Sequence, residues 1–275
     1  MFELQDIART TSKIKSSYSL FKNLQNLSLT VMDVLFGSYI IRKCDGIVSV
    51  TNEISEYHYL MSKGKTPTFT LGNGISVDSY SIRTAPKYRS ELHVLMVAGV
   101  CFWHGIDRFI RGLHEHNAHY ANSTKIVLHI VGDGPELPYL KELTDELGLN
   151  ENVIFHGFKS GRELDEMFDM CHIAIGSLAG FRAGLNELSS LKSREYCARG
   201  IPFLMASKDA DFPEGFNWVQ MVPANETPID MNTVIDFANR IMADPEHPQK
   251  MRRYAEEHLD WMAKMKVLKE FLESL

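Results

Sequence analysis

From Leu92 onward, short apolar runs alternate with amphipathic stretches. "LHVLMVAG", "KIVLHIVG", "NVIFHG", "HIAIGS" and "IPFLMA" have the length and composition of strands buried on both faces. Between them, "IDRFIRGLHEHN" sets Ile106, Phe109, Ile110 and Leu113 along one side of a helix. "DGPE" precedes a helix reaching about Leu147, and "SGRELDEMFDMC" reads as another. "NELSSLKSREYCARG" reads as a loop and a helix beginning near Leu188, and helices dominate after Pro228. Strands alternating with helices of this length predict βαβ units and a parallel sheet.

The pattern before Leu92 differs. Residues 2–43 contain no proline, and Leu20, Leu24, Leu27, Val31, Val34 and Leu35 recur at steps of three or four, which predicts a helix with an apolar stripe. "DGIVSVT" is a short strand, Asn52 a candidate cap for a helix over 53–63 that Gly64 ends, and "TFTL" a second strand. "GNGI" makes a turn in which Asn73 is expected to tolerate a left-handed backbone. The expected division is a partial N-terminal domain over 1–75, a polar linker over 76–91, an α/β domain over 92–245 and terminal helices over 246–275.

Composition narrows the classes. The chain has 275 residues and a net charge of −6, which argues against general affinity for nucleic acid. Residues 1–43 nevertheless carry +3, leaving −9 for the rest, so the N-terminal helix has a composition suited to an anionic membrane surface. No run of about 18 apolar residues exists and no signal peptide is visible. The four cysteines, Cys44, Cys101, Cys171 and Cys197, lack CxxC spacing and read as reduced and cytosolic. No His/Cys/Asp cluster has metal-ligand spacing.

Ligands of parallel sheets bind at the carboxyl ends of the strands. The unusual loops of this chain lie there, over 99–105, 132–136 and 176–188. Glu187 lies in the last of these, and Glu195 follows with seven residues and a helix N-terminus between them. Free N–H groups and the helix dipole favour an anion such as a pyrophosphate, and Lys192 adds a point charge about one turn in. If both were helical, the two glutamates would lie about 80° apart around the axis but about 12 Å apart along it, so they do not form one cluster. Glu187 in the loop then faces a reacting group, and Glu195 accepts hydrogen bonds from a diol further along the ligand. A nucleotide sugar has this layout. In isolation, the same glutamates would read as a helix cap and a surface residue.

Several segments, in order, resemble the retaining, GT-B-type glycosyltransferases of the group 1, or family 4, kind: "DGIVSVTNEISEY", "LGNGISVDSY", "VAGVCFWHGIDRFI", "LHIVGDGPELPYLKELTDELGL", "NVIFHGF" and "ELSSLKSREYCARGIPFL". The resemblance spans about residues 45–260. It implies a Rossmann-like C-terminal domain that moves a sugar from a UDP- or GDP-linked donor to a saccharide or lipid-linked acceptor with retention. It further implies Glu187 near the transferred carbon, Glu195 on the ribose hydroxyls, and amides of Ser189, Ser190 and Leu191 on the phosphates. A turn at Gly99 would open to the donor. Such enzymes typically use no metal and no cofactor, so N–H groups and cations must neutralise the diphosphate.

Two departures qualify the resemblance. Where many members carry Arg and Lys in the first Gly-rich loop, this chain has about Val100 and His104, leaving Lys192, Arg194 or Arg182 to compensate. The part before the NGI turn is also about half the usual length. The expectation is therefore a cytoplasmic, polysaccharide- or glycolipid-building transferase that acts alone or with a partner chain completing the N-terminal domain. The alternatives are a partner-dependent or non-catalytic nucleotide-sugar-binding subunit, or another GT-B enzyme such as an epimerase or phosphorylase.

Overall fold

The computed structural model describes residues 32, 36–86, 91–119 and 124–275. Most of the predicted N-terminal helix lies outside them; residues 36–41 within it are helical. The chain forms two compact units, one comprising the segment up to Gly72 together with Val267–Leu275, the other Asn73–Lys266.

In the smaller unit, strands β1 (Ile47–Ser49) and β2 (Thr68–Thr70) pair in parallel around helix α1 (Asn52–Met61). The helix cap is Thr51 rather than Asn52: its side chain accepts from the Ile54 amide, and its backbone is extended. Ser55 and Thr70 hydroxyls meet at 2.7 Å, tying helix to strand, and Phe69 stacks on Phe271 at 4.9 Å. Among the described residues this unit has these two strands only, and Tyr39, Ile40, Tyr57 and Leu60 are exposed.

The larger unit holds a six-stranded, wholly parallel sheet, as the alternation predicts. Its strands are β3 (Glu91–Val97), β4 (Lys125–Val131), β5 (Val153–Gly157), β6 (Ile173–Ile175), β7 (Phe203–Met205) and β8 (Val219–Met221). They lie in the order β5-β4-β3-β6-β7-β8. The helices are α2 (Ile106–His119), α3 (Leu137–Glu146), α4 (Gly161–Met170), α5 (Leu191–Arg199), α6 (Met231–Met242), α7 (His247–Tyr254) and α8 (Trp261–Glu273), the last running on into the smaller unit.

Both faces of β3 are buried, which explains its continuous apolar run. Leu92, Val94 and Met96 pack with Phe109, Ile110 and Leu113 of α2 and Val234 and Phe237 of α6. Leu95 joins Met167 and Phe168 of α4 and Tyr196 and Cys197 of α5 on the other side. Strand order reverses between β3 and β6, so the loops leaving those two strands part to opposite faces and open a crevice.

Local departures from the sequence expectation have physical causes. Strand β8 was not expected; it is a three-residue edge strand with Gln220 at its centre. Helix α5 begins at Leu191, not near Leu188, because the Leu188 amide donates to the Lys208 carbonyl at 2.8 Å instead of entering a helix. Asn73 has no left-handed backbone. Gly200 does: at φ +80° it closes α5, and an added Cβ would sit 2.5 Å from Pro248 Cα.

Candidate active site

The crevice at the β3/β6 reversal is lined by loops that are stitched together. After β3, the backbone passes Gly99 and makes a short helical turn over Phe102–His104. The Leu178 amide donates to the His104 carbonyl at 3.0 Å, and the Ser177 hydroxyl donates to the Trp103 carbonyl at 3.0 Å. Gly105 (φ +67°) makes this approach feasible, since a Cβ there would meet that of Ala179 at 2.8 Å. After β4, the Val100 amide donates to the Asp133 carbonyl at 2.7 Å, while the Gly134 amide bonds the Asp133 carboxylate.

The loop before α5 is fixed from two directions. Lys208, just beyond β7, pairs with the backbone around Glu187, donating its amide to the Asn186 carbonyl at 2.9 Å. Asn73 binds Ser189 through both its backbone amide and its side chain. Ser190 is the N-cap of α5, with an extended backbone and no side-chain hydrogen bond to the helix. Its hydroxyl therefore does not occupy the first-turn amides, and that end of the helix keeps its partial positive charge.

Lys192, Ser190 and His104 meet at a cavity of about 330 Å³, whose wall also includes Trp103, Ser177 and Leu188. The Lys192 stem is partly exposed, but Nζ is shut off from solvent and has no hydrogen-bond partner. Burial pushes its pKa down to about 7. His104 Nδ1 accepts the Cys101 amide at 3.0 Å, so Nε2 carries the ring proton. Burial, reinforced by Lys192, pushes the His104 pKa down to about 3. His104 is thus a neutral hydrogen-bond donor and not a cation at neutral pH.

The other candidates are placed differently. Arg182 is saturated: it forms a two-pronged pair with Asp107 at 2.8 Å, meets Glu226 at 2.5 Å and donates to the Phe102 carbonyl at 2.9 Å. Those bonds hold its pKa above the ordinary arginine value and leave no donor facing the cavity. Arg194 is buried against Asp209 and Asp211. Val100 is wholly buried and contributes only backbone. Gly99 is exposed, and an added Cβ there would meet nothing closer than Asp133 O at 3.9 Å. Leu191 is 59% exposed at the start of α5. Glu187 is half-buried, with its backbone in the bridge to Lys208.

Glu195 lies a turn further along α5, and its Oε1 accepts from Arg199 Nε at 2.8 Å. Arg199 in turn pairs with Asp165 at 2.6 Å and lies over the Phe168 ring. Arg199 therefore orients Glu195 and was not singled out in the sequence, although its spacing of four residues is a recognisable helix-pair signal. The Asn73–Ser189 clamp had no such signal. Among the described residues, no group of three or more His, Cys, Asp or Glu side chains is placed to hold a metal ion, and no helix is long and apolar enough to cross a membrane.

Comparison with known proteins bears on the fold and the family. No curated protein sequence matches the chain. Among solved structures, it is similar to the lipopolysaccharide outer core galactosyltransferase WaaB, at 17% identity, TM-score 0.61, covering 84% of this chain and 63% of that one. HepE of Anabaena, solved with UDP and glucose, matches at 18% identity and TM-score 0.59, covering 84% and 64%. Sucrose-phosphate synthase of Thermosynechococcus elongatus matches at 17% identity and TM-score 0.60, covering 87% and 60%. The chain thus spans less than two thirds of these relatives' length, and at such identities the likeness establishes the fold, GT-B. The family described as glycosyl transferases group 1 matches residues 82–258. With its parallel sheet, its crevice at the strand reversal and that match over more than half its length, the chain belongs to the group 1 glycosyltransferases.

Proposed function

We propose that the chain moves a sugar from a UDP- or GDP-linked donor to an acceptor hydroxyl with retention, in building a cell-surface polysaccharide or glycolipid. The observation that carries this reading is the partnerless Lys192 Nζ beside the open N-terminus of α5. A buried ammonium without a counter-charge is costly, and an anion in the cavity removes that cost.

In this reading the diphosphate lies against the amides of Ser189, Ser190 and Leu191, with Lys192 and the His104 Nε2–H completing the cradle. Donors fixed before the reaction stabilise the charge that develops on the departing diphosphate; one such donor is worth about 3–4 kcal/mol. Glu187 stands beside the sugar, and Glu195, oriented by Arg199, receives the ribose hydroxyls. The exposed backbone at Gly99 lets the donor approach closely. With retention, the acceptor hydroxyl enters on the face the diphosphate leaves, so the held diphosphate is itself in position to take the acceptor proton. Arg182 has a structural role, joining the loop after β6 to α2 through Asp107.

HepE was solved with UDP and glucose, which supports a nucleotide-sugar donor here. A second reading, that the chain is a nucleotide-sugar-binding subunit working with a partner chain, is favoured by the two-stranded smaller unit and its exposed Tyr57 and Leu60. Calorimetry with UDP and GDP tests the shared claim of nucleotide binding. A donor-hydrolysis assay reporting the product anomer, with and without the product of a neighbouring gene, separates the two readings. If the chain alone releases sugar with retained configuration, the first stands; release only with the partner supports the second. No binding of either nucleotide contradicts both.

A further inference from the structure

We propose that Lys192 takes up a proton as the diphosphate binds, so that the cation of this site is made by its ligand. The inference rests on the nucleotide-sugar reading and concerns how that same site is regulated.

The geometry sets the conditions. Lys192 Nζ is enclosed, has no hydrogen-bond partner and, among the described residues, forms no ion pair. The Lys192 stem lines the cavity from the first turn of α5, with Ser190 beside it on the same element and Nζ enclosed behind the wall. From the loop after β3, the titratable groups facing it are Cys101 and His104. The Cys101 thiol is pushed up by burial and by Glu136, so it is a neutral thiol near pH 7. His104 is neutral as well. From the loop after β6, the residues lining the cavity are Ser177, Gly180, Ala183, Leu185 and Leu188, which do not titrate. Burial outweighs the opposing pull of Cys101 and brings the lysine pKa to about 7.

A diphosphate reverses this balance. Placed at the α5 N-terminus, it sets at least two negative charges beside Nζ, and an opposite charge at this range raises a lysine pKa. Across the interval between the free and bound values, each binding event draws one proton from solvent. No bond other than N–H forms or breaks: the amine lone pair takes the proton, and the charge balances that on the phosphates. An arginine or lysine in the first loop, open to water, would carry its charge before binding and would take up nothing. The consequence is a donor affinity that falls as pH rises above about 7, tenfold per unit where one full proton is coupled.

The test is calorimetry of UDP and of GDP at pH 8.5, repeated in buffers of contrasting ionisation enthalpy. The terminal phosphate, with a pKa near 6, is fully ionised there and contributes no proton of its own. The dependence of the observed heat on buffer enthalpy gives the protons taken up. The wild type is expected to take up close to one proton per nucleotide. Lys192→Arg, charged at every accessible pH, is expected to bind with none, and Lys192→Met to bind at least tenfold more weakly with none. Nucleotide binding without proton uptake by the wild type would overturn this inference and leave the nucleotide-sugar reading standing. Uptake that persists in Lys192→Met would assign the proton to another group and overturn it too. Failure of both nucleotides to bind the wild type would remove the inference together with the reading beneath it.

Discussion

Asn73 grips Ser189 twice: its backbone amide donates to Ser189 Oγ at 2.7 Å, and its Nδ2 donates to the Ser189 carbonyl at 2.6 Å. Arg194 Nε then donates to the Asn73 carbonyl at 3.0 Å. The residue just ahead of the α5 cap is therefore held from a point 116 positions away in the chain. Asn73→Ala removes the side-chain bond and leaves the carbonyl without its partner. It is expected to lower stability by about 1–3 kcal/mol, read from urea denaturation, and to weaken nucleotide binding severalfold. Asn73→Asp, which sets an acceptor against a carbonyl, is expected to do worse than Ala in both.

Gly99 offers a substitution aimed at the ligand alone. Its backbone is not left-handed, and a side chain there points into open space. Gly99→Val is expected to change stability by less than about 0.5 kcal/mol, while reducing nucleotide affinity tenfold or more. Unaltered affinity in calorimetry would mean that the donor does not pass over this turn.

Glu195 and Arg182 make an opposed pair. Glu195→Ala removes the acceptor for the ribose diol and is expected to cost about 2–4 kcal/mol of nucleotide binding, thirtyfold or more. Arg182→Met strands Asp107, whose side chain is 13% exposed, and is expected to lower the thermal midpoint while leaving nucleotide affinity within about threefold. Reversed outcomes, with Arg182→Met losing the ligand, would return Arg182 to the diphosphate.

Those two residues also show what the sequence can and cannot reveal. Strand β3 was legible because Leu92, Val94, Leu95, Met96 and Val97 set apolar side chains on both faces, and the crevice followed from strands and helices in alternation. The spacing of Glu187 and Glu195 marked a loop followed by a helix, and the structure has Glu187 ahead of α5 and Glu195 within it. Side-chain partners distant in sequence were not: Arg182 finds Asp107 across 75 residues and Glu226 across 44, and nothing local distinguishes it from a free loop charge. The isolation of Lys192 Nζ is likewise a property of closure around it by the loops after β3 and β6. Even the start of α5 was set at a distance, by the Lys208 carbonyl.

A histidine row gives a pH dependence that does not involve the ligand. His129 on β4 bonds His93 on β3 and His156 on β5, each at 2.9 Å between ring nitrogens. Burial, then the two neighbouring histidines, push its pKa down to about 4. The unfolded chain, with a histidine value near 6.5, binds the proton first as pH falls. The stabilisation is thus complete above about pH 6.5 and is lost as pH drops toward 4. At pH 5 the loss from this residue is expected to be about 2 kcal/mol relative to pH 7.5. Urea midpoints at the two pH values check it, with His129→Gln, which keeps hydrogen-bonding groups but cannot titrate, showing the smaller difference.

The position of the diphosphate is the claim on which the functional account depends. A crystal structure of the chain with UDP or GDP, whichever calorimetry shows to bind, measures it directly. The account predicts phosphate oxygens within hydrogen-bond distance of the amides opening α5 and of Lys192 Nζ, with the ribose hydroxyls on Glu195. A nucleotide bound elsewhere, or phosphates held by Arg182 with Lys192 still unpaired, would contradict it.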